Sequence, residues 1–272
     1  MYETPFGQGR GGLNMPILYI FLTLLYLLTN DAHAADKTCA AQDKKCVMAE
    51  MESLAGQIDN PAWRDQTYRE LAKSLTYEGL YDQAISLIEK IGNPDTKAMT
   101  IRGIGFAAAD GKWPRGKYDD LFEKLSAAAK NIADPSGQAI AWTYVAMAQA
   151  FALDDEGATR TAAAMENPAL RHKAFGETAE IQAERGDAKA AMASIAHIDS
   201  ASYKNKAYRN VAKILVGRGD TTSAYKAAQL IDNPYTRTQV LQMIVNHGNA
   251  EEEDTKADTA EDPEKDEDTT AP

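Results

Sequence analysis

Along most of the chain, apolar positions recur at helical spacing behind one four-residue signature. Its copies are Ile58-Asp59-Asn60-Pro61, Ile91-Gly92-Asn93-Pro94, Ile132-Ala133-Asp134-Pro135, Met165-Glu166-Asn167-Pro168, Ile198-Asp199-Ser200-Ala201 and Ile231-Asp232-Asn233-Pro234. Successive copies lie 33, 41, 33, 33 and 33 residues apart. The third position is always Asn, Asp or Ser, whose side-chain oxygen can accept a bond from the unpaired amides of a helix's first turn. Proline follows in five copies, and its fixed φ suits the first helical position. Each signature therefore predicts a helix start. Eight residues after each cap stand Tyr68, Ile101, Trp142, Phe175, Tyr208 and Leu241, and three further on Leu71, Ile104, Val145, Thr178, Val211 and Ile244. With the small Ala72, Gly105, Ala146, Ala179 and Ala212 beside them, these positions describe one buried stripe where helices approach closely.

The first helix of each unit stops near Gly79, Gly186 and Gly219, and Asp187 and Asp220 open a second, shorter helix; glycine followed by aspartate is a C-cap followed by an N-cap. A period near 33 residues is the mark of stacked helical hairpins, none of which buries its apolar face alone. The spacing of 41 is one period plus eight inserted residues, placed at Asp110 to Tyr118. Ahead of the first signature, Cys46 to Gln57 reads as a lone second helix, with Met51 and Leu54 matching Ala84 and Leu87. It is expected to cap the array at its N-terminal end.

The two ends differ from this body. Met15 to Leu28 is an apolar run of 14 residues, about 21 Å as a helix against the roughly 30 Å of a bilayer core. Ala32-His33-Ala34 follows it with a small-x-small cleavage pattern. Residues 1–34 therefore read as a signal peptide, with the mature chain starting near Ala35, a periplasmic or secreted location, and no membrane span after cleavage. Outside the cytosol, the pair Cys39 and Cys46 is expected to form a structural disulfide. On one continuous helix the two would be about 10 Å apart, so a bridge requires Cys39 to sit in an arm that folds back on the helix start. Residues 35–57 are thus an N-terminal cap with a disulfide, and 58–249 are the repeats.

The net charge of −11 is concentrated in residues 250–272, which hold eleven acidic residues and two lysines. That tail lacks any large apolar residue and is expected to be disordered. The body from Ala35 to Asn249 is left near neutrality, with no basic stripe, which argues against nucleic acid as partner.

The helical-hairpin pattern resembles the tetratricopeptide repeat superfamily. The resemblance rests on the large residue at Tyr68, Trp142, Phe175 and Tyr208, the Leu71-Ala72 pair, the inter-helix Gly79, Gly186 and Gly219, the aromatic Tyr81, and the small Ala84, Ala158, Ala191 and Ala224. The period is one residue shorter than the family's usual 34. The fold implied is all-α: a right-handed α-solenoid of two-helix, tetratricopeptide-like repeats. In such arrays the first helices line the concave face. Carrying that family's groove positions onto this chain gives Arg69, Lys73, Arg102, Phe106, Thr143, Met147, Phe151, Glu180, Arg209 and Lys213, basic at the ends and apolar in the middle, although Phe106, Met147 and Phe151 can equally be ordinary core.

Catalytic chemistry finds no foothold in the pattern. His33, His172, His197 and His247 fall in different segments, no Gly-rich phosphate loop follows a strand, and the acidic run at Glu251 lacks the glycine turn of an EF-hand. No catalytic residue, metal or cofactor is expected. The inserted loop carries Trp113 beside Pro114, Lys112, Arg115 and Lys117 and is a second candidate contact, either with a partner or with the end of its own hairpin. The expected function is that of an exported, non-enzymatic scaffold or adaptor holding a protein or peptide. A structural, self-associating envelope component (a homo-oligomer) is the alternative, and a hydrolytic enzyme with a site built across repeats comes third.

Overall fold

The computed structural model describes residues 39–247. The expected signal peptide, with His33, and the acidic tail lie outside the described residues. Twelve helices and no strand occur among the described residues. The helices are α1 (Lys44–Ala55), α2 (Pro61–Tyr77), α3 (Tyr81–Lys90), α4 (Pro94–Asp110), α5 (Arg115–Lys130), α6 (Pro135–Phe151), α7 (Asp155–Ala163), α8 (Pro168–Glu184), α9 (Ala188–Ala196), α10 (Ala201–Gly217), α11 (Thr221–Gln229) and α12 (Pro234–Val245). None of them is long and apolar enough to cross a membrane.

The chain divides into two units, Met1–Glu50 and Met51–Pro272. In the first, Cys39 and Cys46 are joined with their Cα atoms 5.6 Å apart. Cys39 precedes α1, and the Cys46 amide donates to Asp43 Oδ1 (3.1 Å). The arm therefore folds back on the helix start as the geometry required. Within α1 the buried residues are Met48 and Ala55. Leu54, expected inward, is 53% exposed, so the match of this helix to Leu87 fails at that position.

The second unit is built on the signatures. Asn60, Asn93, Asp134, Asn167 and Asn233 accept from the amides of Trp63, Thr96, Gly137, Leu170 and Thr236 at 2.6–3.1 Å, each such cap being worth about 1 kcal/mol. Ser200 adopts the same extended backbone, φ −73° and ψ 124°, but makes no cap bond. Five turns join a first helix to its second, and each contains one residue at positive φ: Gly79 (76°), Lys112 (48°), Leu153 (63°), Gly186 (91°) and Gly219 (82°). After three of these turns Asp154, Asp187 and Asp220 cap the next helix. Leu153 is 70% exposed, so it gains no burial in return for its left-handed backbone. Relief of about 1–2 kcal/mol of strain, less the extra chain entropy of glycine, about 0.5–1 kcal/mol, makes Leu153→Gly stabilising by about 0.5–1 kcal/mol. Chemical denaturation of the two forms checks this; a lower midpoint for the glycine variant would contradict it.

The first helices α2, α4, α6, α8, α10 and α12 contact one another in that order, and each second helix packs on its own first helix and on the next. The expected stripe is the core: Leu71, Ile104, Val145, Thr178 and Val211 are at most 1% exposed, as are Ala72, Ala146, Ala179 and Ala212. Trp142, Leu241 and Ile244 are only partly buried. Gly105 marks a close approach of α4 to α6, since a Cβ there would lie 2.4 Å from Ala148 Cβ.

The eight inserted residues are not chiefly a loop. Only Gly111 to Pro114 separates α4 from α5, and α5 runs for 16 residues where α3 has 10 and α7, α9 and α11 have nine each. Most of the insertion is therefore extra helix. Tyr81 and Asp82 of α3 tie to it, the Tyr81 hydroxyl donating to Asp120 and Lys124 pairing with both Asp82 and Asp120, all at 2.7 Å.

Neighbouring helix pairs are also fastened by polar contacts that hydrophobic patterning does not reveal. Asp65 Oδ2 accepts from the amides of Gly92 (3.0 Å) and Asn93 (2.8 Å) in the next signature. Asn205, at the matching position, accepts from Asp232 N (2.9 Å), and His172, at the same place again, brings Nε2 to 4.0 Å from Asp199. Further along, Arg185 donates to Ala150 O (2.9 Å) at the end of the preceding first helix, and Arg218 donates to Glu184 O in the same way. Arg115 of α5 reaches the buried Asp154 carboxylate at 2.6 Å.

Candidate protein-binding face

Because first helices stack on first helices, residues at equal distances from their caps line up across the unit. Nine and thirteen residues beyond the caps stand Arg69 and Lys73 on α2, and Arg102 and Phe106 on α4. These four share a cleft of about 290 Å³ with Glu70, Tyr77, Met99 and Gly103. Four of the sequence-derived candidates thus meet in one place. Gly103 makes the opening: it stands where the other first helices carry Glu70, Tyr144, Glu177, Asn210 and Met243, and a Cβ there would have only Lys73 Cβ nearby, at 4.0 Å.

The Arg102 guanidinium lies 4.7 Å from the Phe106 ring centroid and 5.6 Å from that of Tyr144, while Lys73 Nζ lies 5.9 Å from Tyr77. These are distances at which ring quadrupoles attract a cation. Phe106 meets Phe151 edge to face at 4.7 Å, and Phe151 remains 40% exposed. Arg69 reaches Glu70 at 3.6 Å. No ion pair forms at Lys73 or Arg102 among the described residues. The cleft therefore holds three cations against one carboxylate.

Other candidates lie elsewhere. Met147 and Thr143 are buried, at 8% and 2% exposure; Met147 packs with Ala150, Ala158 and Ile181 beneath Phe106 and Tyr144, so it supports the aromatic face from below. Arg209 and Lys213 belong to α10 and do not join the cleft. Between them and the aromatic group, α8 presents Glu177, Glu180 and Glu184. The middle of the face is therefore aromatic and then acidic, where an apolar middle was expected. Trp113 is half-buried at the end of its own hairpin, with Tyr81 at 5.5 Å, Tyr118 at 5.7 Å and Lys117 Nζ 3.8 Å from its ring centroid. Its indole lies over Gly111, where a Cβ would fall 2.3 Å from Nε1. Trp113 thus packs on its own hairpin end and keeps part of its surface exposed.

The histidines are separated as well. His172 is buried beside Tyr203, and His197 stacks on Phe175 at 5.1 Å. A second cleft of about 390 Å³ opens in the other layer, between α7 and α9 over the buried Gln182.

Sequence reasoning missed Tyr77, Gly103, Tyr144 and Glu177. The signal was present: they fall ten or seventeen residues after their caps, one helical turn from positions already singled out.

Burial raises the Glu180 carboxyl above its usual range, as do Glu177 and Glu184 more weakly, while the Asn210 amide at 2.7 Å and Lys206 act the other way. The folded-state pKa thus exceeds the unfolded one. The penalty for the ionised form is present above the folded pKa and disappears as pH falls to the unfolded value, about pH 4. Glu180→Gln should raise the melting temperature at pH 7, with the gain shrinking to nothing near pH 4; thermal melts across this range would contradict it if the gain were constant.

No protein-family model matches the chain, and no curated protein matches it. Among solved structures the chain is similar to Ton1535 from Thermococcus onnurineus NA1, at 19% identity over 68% of this chain and with a TM-score of 0.36. The match spans 55% of that protein's length.

Proposed function

We propose that this chain is an exported, non-enzymatic adaptor, a tetratricopeptide-like solenoid of two-helix repeats that holds a protein or peptide on the face of its first helices. The observation that carries this reading is the cleft of α2 and α4, where Lys73 and Arg102 form no ion pair among the described residues and stand beside partly exposed aromatic rings. Cations left uncompensated next to aromatic surface contribute little to a monomer's own stability, whereas aromatic residues and arginine are the groups enriched where proteins meet. A periplasmic or secreted location rests on the leader alone.

The test is affinity capture with the tagged mature chain, starting at Ala35, from envelope extract of the source organism, beside a Lys73→Glu, Arg102→Glu variant. Partners retained by the first and lost by the second support the adaptor. Capture of nothing, or of the same set by both, would overturn it. N-terminal sequencing of exported material tests the mature start near Ala35, which fails if Met1 or Met15 is still present.

Self-association is a second reading, favoured by one observation. Val245 stands where Ala72, Ala146, Ala179 and Ala212 are fully buried, yet it is 77% exposed, with Leu241 and Ile244 only partly covered beside it. Sedimentation velocity of the wild type and of Val245→Glu separates the readings: a dimer lost on substitution favours self-association, and a monomer in both forms removes it.

A further inference from the structure

The cleft's own chemistry narrows what it can hold, granted the proposed peptide-binding role. We infer that the cleft between α2 and α4 binds an extended acidic peptide segment, with a side-chain carboxylate on Arg102 and Lys73 and an adjacent apolar side chain against Tyr77 and Phe106.

Three features of the cleft point the same way. Its lining has an excess of two positive charges, in a body otherwise close to neutral, so an anionic segment is the complementary one. The Arg102 guanidinium lies 4.7 Å from the Phe106 ring centroid and 5.6 Å from that of Tyr144, which holds a cation at the aromatic wall, and a guanidinium is the side chain best suited to pair with a carboxylate through two N–H donors. The walls also include Tyr77, Met99 and Phe106, and Tyr77 is 54% exposed, so a segment of acidic residues alone would leave apolar surface uncovered. That last point separates a partner from the chain's own tail. Residues 250–272 are acidic enough, but they contain no Val, Leu, Ile, Met, Phe, Tyr or Trp.

Gly103 provides a sharp control. Its position is open, and replacing a mid-helix glycine favours the helix, so Gly103→Met fills the cleft while keeping the fold.

The experiment is a titration of the isotope-labelled mature protein, followed by amide chemical shifts. The probe is a peptide blocked at both ends, with the core Asp-Glu-Leu-Phe-Asp-Glu between Gly-Ser flanks. Blocking removes both terminal charges, so any binding reports side chains. A few charge-assisted contacts and one covered side chain place the dissociation constant on the order of 10⁻⁴ M. Shifts should centre on residues 69–77 and 99–106. The Asn-Gln form of the peptide, the form with Leu and Phe replaced by Ser, and the Arg102→Ala and Gly103→Met proteins should each bind at least tenfold more weakly. Equal binding of the Asn-Gln form, shifts confined to other helices, or full affinity in Gly103→Met would overturn the assignment. If Gly103→Met still captures the partners that the wild type captures from envelope extract, the acidic-peptide assignment fails and the adaptor reading stands. If the wild type captures nothing, the adaptor reading itself fails.

Discussion

Gly105→Leu is expected to lower the melting temperature by roughly 6–12 °C. At this point α4 and α6 touch almost backbone to backbone: an added Cβ would lie 2.4 Å from Ala148 Cβ and 3.7 Å from Ala148 Cα, with Leu125 at 4.0 Å. A leucine can be housed only by moving two helices apart in a fully buried layer, an overpacking cost of about 3 kcal/mol. For a unit of about 200 residues each kcal/mol corresponds to about 2–4 °C. Gly103→Ala is the control, being two residues away on the same helix with open space around it; it should hold or raise the melting temperature. Circular dichroism melts of the three proteins decide the matter, and an unchanged midpoint for Gly105→Leu would show that the helices do not approach this closely.

The second large effect is expected at Asp65. Its side chain is 3% exposed, and Oδ2 carries both amides of the next signature. Hydrogen bonds to a charged group are worth about 1.5–3 kcal/mol each, and water can take over part of the bonding when the carboxylate is removed. Asp65→Ala should therefore cost about 2–3 kcal/mol. Asp65→Asn, which keeps an acceptor in place as Asn205 does for Asp232, should recover part of that. Amide hydrogen exchange at Gly92 and Asn93 gives an independent readout: exchange should accelerate in the alanine variant, and unaltered protection would contradict the latch.

The caps, the stripe and the second-helix aspartates were legible in the sequence because each reflects a local rule that returns every 33 residues. The same periodicity misled at two points, Leu54 and the insertion. Repeat matching sets Leu54 beside the buried Leu87, but it lies at 53% exposure. Met147 holds the register of Lys73 and Phe106 and can be read either as lining the face or as core; it is buried, packed with the small Ala150 and Ala158. The insertion looked like a loop because it contains Gly111, Pro114 and Gly116, while two turns of additional helix accommodate most of it at lower entropic cost. The contacts made by Asp65, Arg185 and Arg218 were out of reach for another reason. Each pairs a side chain with a backbone group 27 to 35 residues away, and single-sequence periodicity carries no information on such pairs.

That separation has a bearing on the order in which the chain acquires structure. A latch spanning 27 residues needs only two consecutive hairpins to form, and the helix contacts of the second unit likewise join near neighbours in the chain. Topologies made of such short-range links fold quickly, and they need not wait for their far end. As the chain emerges from a ribosome, Asp65 can close on Gly92 while Pro234 is still unstructured. Each emerging hairpin then finds its predecessor already folded, so little apolar stripe is exposed at any moment and aggregation has few openings.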